Sequence, residues 1–200
     1  CAAQDGTDSV QNPAYVYYIK DADLMRADVK RPMEAGKNPS LVMEGVGEKA
    51  NLKDYHDVSL AEDGSFLVFQ FETEGDRSGD DAMLAAVNSE DGTSQLIYEG
   101  YANTVMCGNK LLFQVESKSG EPSSPQYDLY SYTPQTGSCL EVEDVYNFYP
   151  SEDGAVICFT RKGEHGKERL YRYRDGKEEF LADDVQVAGV NGDCSNIYMS

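Results

Sequence analysis

Val58-Ser59-Leu60-Ala61-Glu62-Asp63-Gly64-Ser65-Phe66-Leu67-Val68-Phe69-Gln70-Phe71 is the stretch that decides the fold. Val58-Ser59-Leu60 alternates as a half-buried strand does, and Glu62-Asp63-Gly64 has the chemistry of a hairpin turn. Phe66 to Phe71 is then a second strand with apolar residues at successive positions, as expected where both faces are covered. A polar loop from Thr73 to Asp80 follows. Met83 to Val87 reads as a third strand, Asn88 to Thr93 as a turn, and Gln95 to Tyr98 as a fourth strand.

The same order returns downstream. Thr104-Val105-Met106, the Gly108-Asn109 turn, Leu111 to Val115, Leu129 to Tyr132, a turn at Gly137 and Leu140 to Val142 make one unit. Tyr146 to Tyr149, Asp153-Gly154, Val156 to Thr160, Leu170 to Tyr173, Asp175-Gly176 and Glu179 to Leu181 make the next. A further unit opens with Val187 to Val190, a turn at Gly192-Asp193, and Asn196 to Met199. Upstream of Asp57, Tyr15 to Ile19, Leu24 to Val29 and Leu41 to Glu44 fit the second, third and fourth strands of a unit whose first strand is missing. The hairpin turns recur at steps of about 40 to 45 residues, the period of a four-stranded propeller blade.

The expected fold is therefore all-β, a β-propeller of four-stranded antiparallel blades, with about four blades forming an incomplete arc or a fragment. Residues 1–12 read as a flexible polar tether and 13–200 as the repeat region. Its units lie near 13–46, 57–100, 103–144 and 145–184, with a partial unit at 185–200. The register is offset at both ends, which predicts an open sheet edge in the first unit. A β-sandwich is the alternative, since it too is built from short, closely spaced strands, but it leaves the period unexplained.

With 40% hydrophobic residues and 10% aromatics among 200, the chain has the apolar material for one sizeable core. Seventeen Lys and Arg stand against 36 Asp and Glu, a formal charge of −19. Such a surface repels phosphate backbones and anionic headgroups, so nucleic acid is not an expected partner. No stretch approaches the roughly 18 apolar residues of a membrane helix, so any membrane association is expected only through an N-terminal anchor. Cys1 followed by Ala2-Ala3-Gln4-Asp5-Gly6 looks like the start of a mature bacterial lipoprotein, with Cys1 the lipidation candidate. The alternatives are a domain behind a removed signal anchor and an arbitrary fragment boundary. The expected location is the cell envelope, outside the cytoplasm.

Five widely spaced cysteines with no CxxC do not make a disulfide framework or a zinc site. Cys158 reads as a small core residue, and Cys107 and Cys194 flank equivalent turns in two repeats. Asp76, Ser78 and Asp80 place oxygens at alternate positions as calcium loops do, and form the calcium candidate, although the downstream bidentate Glu of an EF-hand is lacking. A solvated blade loop explains them as well. His56 and His165 sit in polar connections, and no GxSxG, HExxH or P-loop occurs, so no catalytic residue and no cofactor is assigned. Tyr15, Tyr17, Tyr18, Tyr130, Tyr132, Tyr171 and Tyr173 fall on strands. They either pack between sheets or form a platform for peptide or carbohydrate.

The pattern of Asp-Gly, apolar strand, Leu-Tyr-x-Tyr, Gly and apolar strand resembles the TolB-like and WD-like propeller repeats of bacterial envelope proteins. It is carried by Asp63-Gly64 with Phe66 to Phe71, by Leu129-Tyr130-Ser131-Tyr132 with Gly137, and by Asp153-Gly154 with Leu170-Tyr171-Arg172-Tyr173 and Gly176. More closely, it is similar to extracytoplasmic propeller domains of Firmicutes. The unit with Met83-Leu84-Ala85-Ala86 departs from the Leu-Tyr pattern. The resemblance implies a non-catalytic scaffold that meets a protein or peptide partner on its loops. The alternative is a ligand-sensing or carbohydrate-active domain with a site in a central channel.

Overall fold

The protein is described by a computed structural model at residues 15–20, 23–28, 37, 40–43, 56–72, 82–89, 91–117, 126–163 and 167–199. Every regular element among them is a strand. The first sheet holds β1 (Tyr15–Lys20), β2 (Asp23–Asp28) and β3 (Ser40–Met43). Three four-stranded sheets follow. They are β4 (His56–Leu60), β5 (Phe66–Glu72), β6 (Ala82–Asn88) and β7 (Ser94–Glu99), then β8 (Asn103–Cys107), β9 (Lys110–Glu116), β10 (Tyr127–Thr133) and β11 (Gly137–Val142). The third comprises β12 (Asn147–Pro150), β13 (Val156–Lys162), β14 (Glu168–Arg174) and β15 (Lys177–Val185). Last comes the pair β16 (Val187–Val190) and β17 (Ile197–Met199). Each sheet is an antiparallel meander whose order in space is its order in sequence.

The second strands are apolar on both alternations because they are covered on both sides. Leu111, Phe113 and Val115 of β9 join Phe66, Val68, Leu84 and Ala86 in one core. Leu112 of the same strand joins Leu129, Ile157 and Phe159 in another. Thus β9 sends odd-numbered side chains toward the preceding sheet and even-numbered ones toward the next, the period of two made visible. Burying a Phe such as Phe159, fully out of solvent, contributes roughly 2 to 3 kcal/mol.

The fourth strands are the outer edges and are mostly exposed, with Leu96, Leu140 and Phe180 open to solvent. Each third-to-fourth pairing carries a register shift, at Leu84/Ala85, Leu129/Tyr130 and around Leu170, which twists the edge and protects it from further pairing. The first strand β4 lies against the first strand β8 of the next sheet. Inner edges that converge and outer edges that do not are the geometry of blades fanning from an axis. Among the described residues no ladder joins β16 or β17 to β1, and the first sheet lacks a first strand, as the offset register predicts.

Three details differ from the sequence reading. His56, placed in a connection, is the first residue of β4. The third strand β6 is as buried as a second strand, because Ala85 and Ala86 let neighbouring layers close over it. The fourth hairpin turns not on Gly192-Asp193 but one residue later, with Cys194 in the left-handed conformation at φ 57°.

Candidate functional site

Three of the four described hairpins that join first and second strands share one frame, while β8 and β9 are joined by the two-residue turn Gly108-Asn109. Ala61, Ser151 and Asn191 each donate a backbone N–H to the residue five positions on, and accept from the residue three positions on. Asp63, Asp153 and Asp193 then accept from the backbone N–H two residues later through Oδ1, at 2.8, 3.0 and 3.0 Å. This is the Asx turn, in which the carboxylate takes the place of a backbone acceptor. The residue after each Asp has positive φ: 71° at Gly64, 64° at Gly154 and 57° at Cys194. The aspartate therefore sets the register, and Gly192 is equivalent to Glu62 and Glu152. Gly192 leaves room for the Glu152 carboxylate, which occupies the space a β-carbon there would need.

Neighbouring turns are bonded into a row. Glu62 N–H donates to the Gly108 carbonyl at 3.0 Å, and Asp63 N–H donates to Asn109 Oδ1 at 2.9 Å. Lys110 Nζ donates to the Gly154 carbonyl at 2.6 Å, and Glu152 N–H donates to the Gly192 carbonyl at 2.8 Å. The side chains of Glu62, Asp63, Glu152, Asp153 and Asp193 stand exposed along this row. The hydrogen bond from Ala155 N–H, helped by the Ser151 hydroxyl at 2.7 Å, holds the Asp153 carboxyl below its usual range. Ser195 N–H does the same for Asp193. These two carboxylates therefore hold their charge further into acid than an unbonded aspartate does. Between the third and fourth turns lies an open cleft of about 510 Å³, lined by Ser151, Glu152, Asp153, Asn191, Asp193 and Arg174.

A second set of polar side chains ties the blades together at a distance from the row. Gln70 Oε1 accepts from Ala102 N–H at 2.8 Å. The equivalent Gln114 donates through Nε2 to the Val145 and Tyr146 carbonyls at 2.7 and 3.1 Å. Tyr132 donates to Gln95 Oε1 at 3.3 Å, and Tyr173 to Glu141 Oε2 at 2.8 Å; burial and that carboxylate push the Tyr173 phenol up to about 12. Arg161 lies over the Phe159 and Tyr171 rings at 5.1 and 4.9 Å, forks onto Glu178 at 2.8 and 3.0 Å, and donates to the Glu143 carbonyl. These groups are spent on holding one blade to the next.

Asp76, Ser78, Asp80, Cys1 and His165 lie outside the described residues, as does the 1–12 tether. Tyr130, Tyr132, Tyr171 and Tyr173 pack at the seams, with Phe113 stacked on Tyr130 at 5.5 Å and Phe159 on Tyr171 at 5.3 Å. These four are structural rings, not an exposed platform. Of Tyr15, Tyr17 and Tyr18, the structure describes only their strand. Cys158 is buried as a core residue. From sequence, Glu62 has only turn chemistry, and no role falls to Glu152 or to the bridging glutamines Gln70 and Gln114.

No protein-family model matches the sequence, and a comparison with curated proteins gives no match either. Solved structures do. The β-propeller domain of the Trilobed protease from Pyrococcus furiosus, with an open velcro topology, is similar over 94% of this chain and 59% of its own, at 15% identity and a TM-score of 0.54. Oligogalacturonate lyase from Vibrio parahaemolyticus is similar over 90% of this chain and 53% of its own, at 14% identity and 0.54. TolB from Acinetobacter baumannii is similar over 88% and 42%, at 14% identity and 0.44. The first two likenesses carry the fold, a β-propeller. The chain spans about half the length of these structures.

Proposed function

We propose that the chain is a non-catalytic binding or scaffold module of the cell envelope, held at the membrane through an N-terminal anchor and meeting a protein or peptide partner on its propeller loops. The observation that carries this reading is the row of first hairpin turns. It is stiffened from below by turn-to-turn hydrogen bonds, and it presents exposed carboxylates at Glu62, Asp63, Glu152, Asp153 and Asp193. A pre-organised row loses little entropy on binding, and its charge selects a basic segment. The −19 net charge works in the same direction by speeding the encounter.

The test is selection of peptides on the immobilised chain from a random library. Selected sequences are expected to be rich in Lys and Arg, to weaken as salt shortens the Debye length from about 10 to about 3 Å, and to lose binding to the Glu62→Lys/Glu152→Lys variant. Binding that is insensitive to both would remove the turn row from the account.

The cleft beside the third and fourth turns supports a second reading. Its volume of about 510 Å³ suits a small polar ligand, and Arg174 with the carboxylates of Asp153 and Asp193 gives it groups of both signs. A ligand-sensing or carbohydrate-active domain would show a thermal shift with sugars in a screen, and that shift would vanish in Arg174→Ala.

A further inference from the structure

The turn at Asp193-Cys194 departs from the other turns in its row. At the position where Gly64, Gly108 and Gly154 take positive φ without steric cost, this hairpin carries cysteine at φ 57°. Its side chain is buried and directed onto the neighbouring blade. Cys194 Sγ lies 3.5 Å from the Tyr149 carbonyl and 3.8 Å from the Val156 carbonyl. Tyr149 is the cross-strand partner of Cys158, and Val156 is two residues before Cys158 on the same face of β13. Cys158 is fully buried there, and the two thiols lie close enough to perturb each other's ionisation.

We infer that Cys158 and Cys194 are a disulfide-forming pair that locks the β16–β17 hairpin onto the β12–β15 blade. Among the described residues the hairpin is a two-stranded sheet, and a two-stranded sheet opens more readily than a four-stranded one. While it is closed, burial keeps both thiols protonated and unreactive, with that of Cys158 pushed up to about 12. Opening exposes Cys194.

Its thiolate attacks a low-molecular-weight disulfide RSSR, forming Cys194–S–S–R and releasing RS⁻, which takes up the proton Cys194 lost. On reclosure the Cys158 thiol gives up its proton and attacks the Cys194 sulfur, expelling the second RS⁻, which is protonated in turn. Two protein thiols are oxidised, one S–S bond forms, and RSSR is reduced to two RSH.

The test uses the full chain with Cys1 and the exposed Cys139 replaced by Ser, incubated folded with oxidised glutathione and mapped as peptides without reduction. The expected product is one intramolecular link joining the Cys158 and Cys194 peptides, with a mass loss of two hydrogens. Amide exchange in β16 and β17 should slow by about tenfold or more on oxidation and recover with dithiothreitol. Cys194→Gly, which restores the glycine of the other turns, should fold and show neither effect, while Cys107→Ser should show both. A link through Cys107, a stable glutathione adduct without a link, or unchanged exchange in the linked protein would each overturn the inference.

Discussion

Gln114 is the side chain on which the seam between the second and third complete blades most depends. It is 8% exposed, and its amide donates to two carbonyls of the inter-blade connection, at Val145 and Tyr146. Gln114→Ala removes both bonds, each worth a net contribution of about 0.5 to 1.5 kcal/mol, and strands the carbonyl of the buried Val145. The expected loss is about 3 kcal/mol. Gln70→Ala removes one bond of the same kind, to Ala102 N–H, and should cost about half as much. Urea denaturation followed by far-UV circular dichroism measures both. At a slope of about 2 to 3 kcal/mol/M, the Gln114→Ala midpoint should fall by about 1 M or more without a change of slope. A loss below about 0.5 kcal/mol, or a larger effect at Gln70 than at Gln114, would refute the claim that this glutamine clamps the blades.

Thr160 stands where Gln70 and Gln114 stand, fully buried, and its hydroxyl has no hydrogen-bond partner. Thr160→Val keeps the shape and removes the unpaired group, so thermal denaturation should show a gain of about 1 kcal/mol, and a lowered Tm would contradict this. Gly154→Ala places a methyl 2.8 Å from Lys110 Cε and 3.0 Å from Cys107 Cβ at φ 64°, whereas Gly64→Ala meets nothing within 4 Å at φ 71°. Both pay for the left-handed backbone, roughly 1 to 2 kcal/mol, but only Gly154→Ala adds a clash, so its measured loss should be clearly the larger. Asp91, Asp153 and Asp193 have carboxyls held below the usual range by backbone N–H donors, so their contribution is present above the ordinary value of 3.8 and disappears as pH falls through the depressed folded values. The stability difference between the native chain and the triple Asp→Asn variant should shrink between pH 5 and pH 2 in melting curves; a constant difference would count against the assignment.

Much of this fold could be read locally. Asp63-Gly64 and Asp153-Gly154 specify hairpins because an aspartate oxygen and a glycine φ act within three residues, and Phe66 to Phe69 specifies a doubly covered strand by its own side chains. At the fourth turn Gly192-Asp193 offers a familiar pair, but the register is fixed by the bond from Ser195 N–H to Asp193 Oδ1, which puts the left-handed residue after the aspartate, at Cys194. The seam contacts were not legible. Gln114 meets Val145 and Tyr146, Tyr173 meets Glu141, and Cys194 meets Tyr149 and Val156, all across 31 to 45 residues of sequence. A polar residue inside an apolar strand, as Gln70 and Gln114 are, was the available signal, since a buried amide has to find partners. The carboxylate row needed the blades in place before Glu62 and Glu152 could be seen as neighbours of the next turn.

The proposed role of the turn row is tested most directly by amide hydrogen exchange of the chain with and without a bound basic peptide. Slowed exchange is expected to concentrate in the first hairpins, residues 61–65, 108–110, 151–155 and 191–195, with the outer strands β7, β11 and β15 unchanged. Slowed exchange on those outer strands with the hairpins unaffected would contradict it.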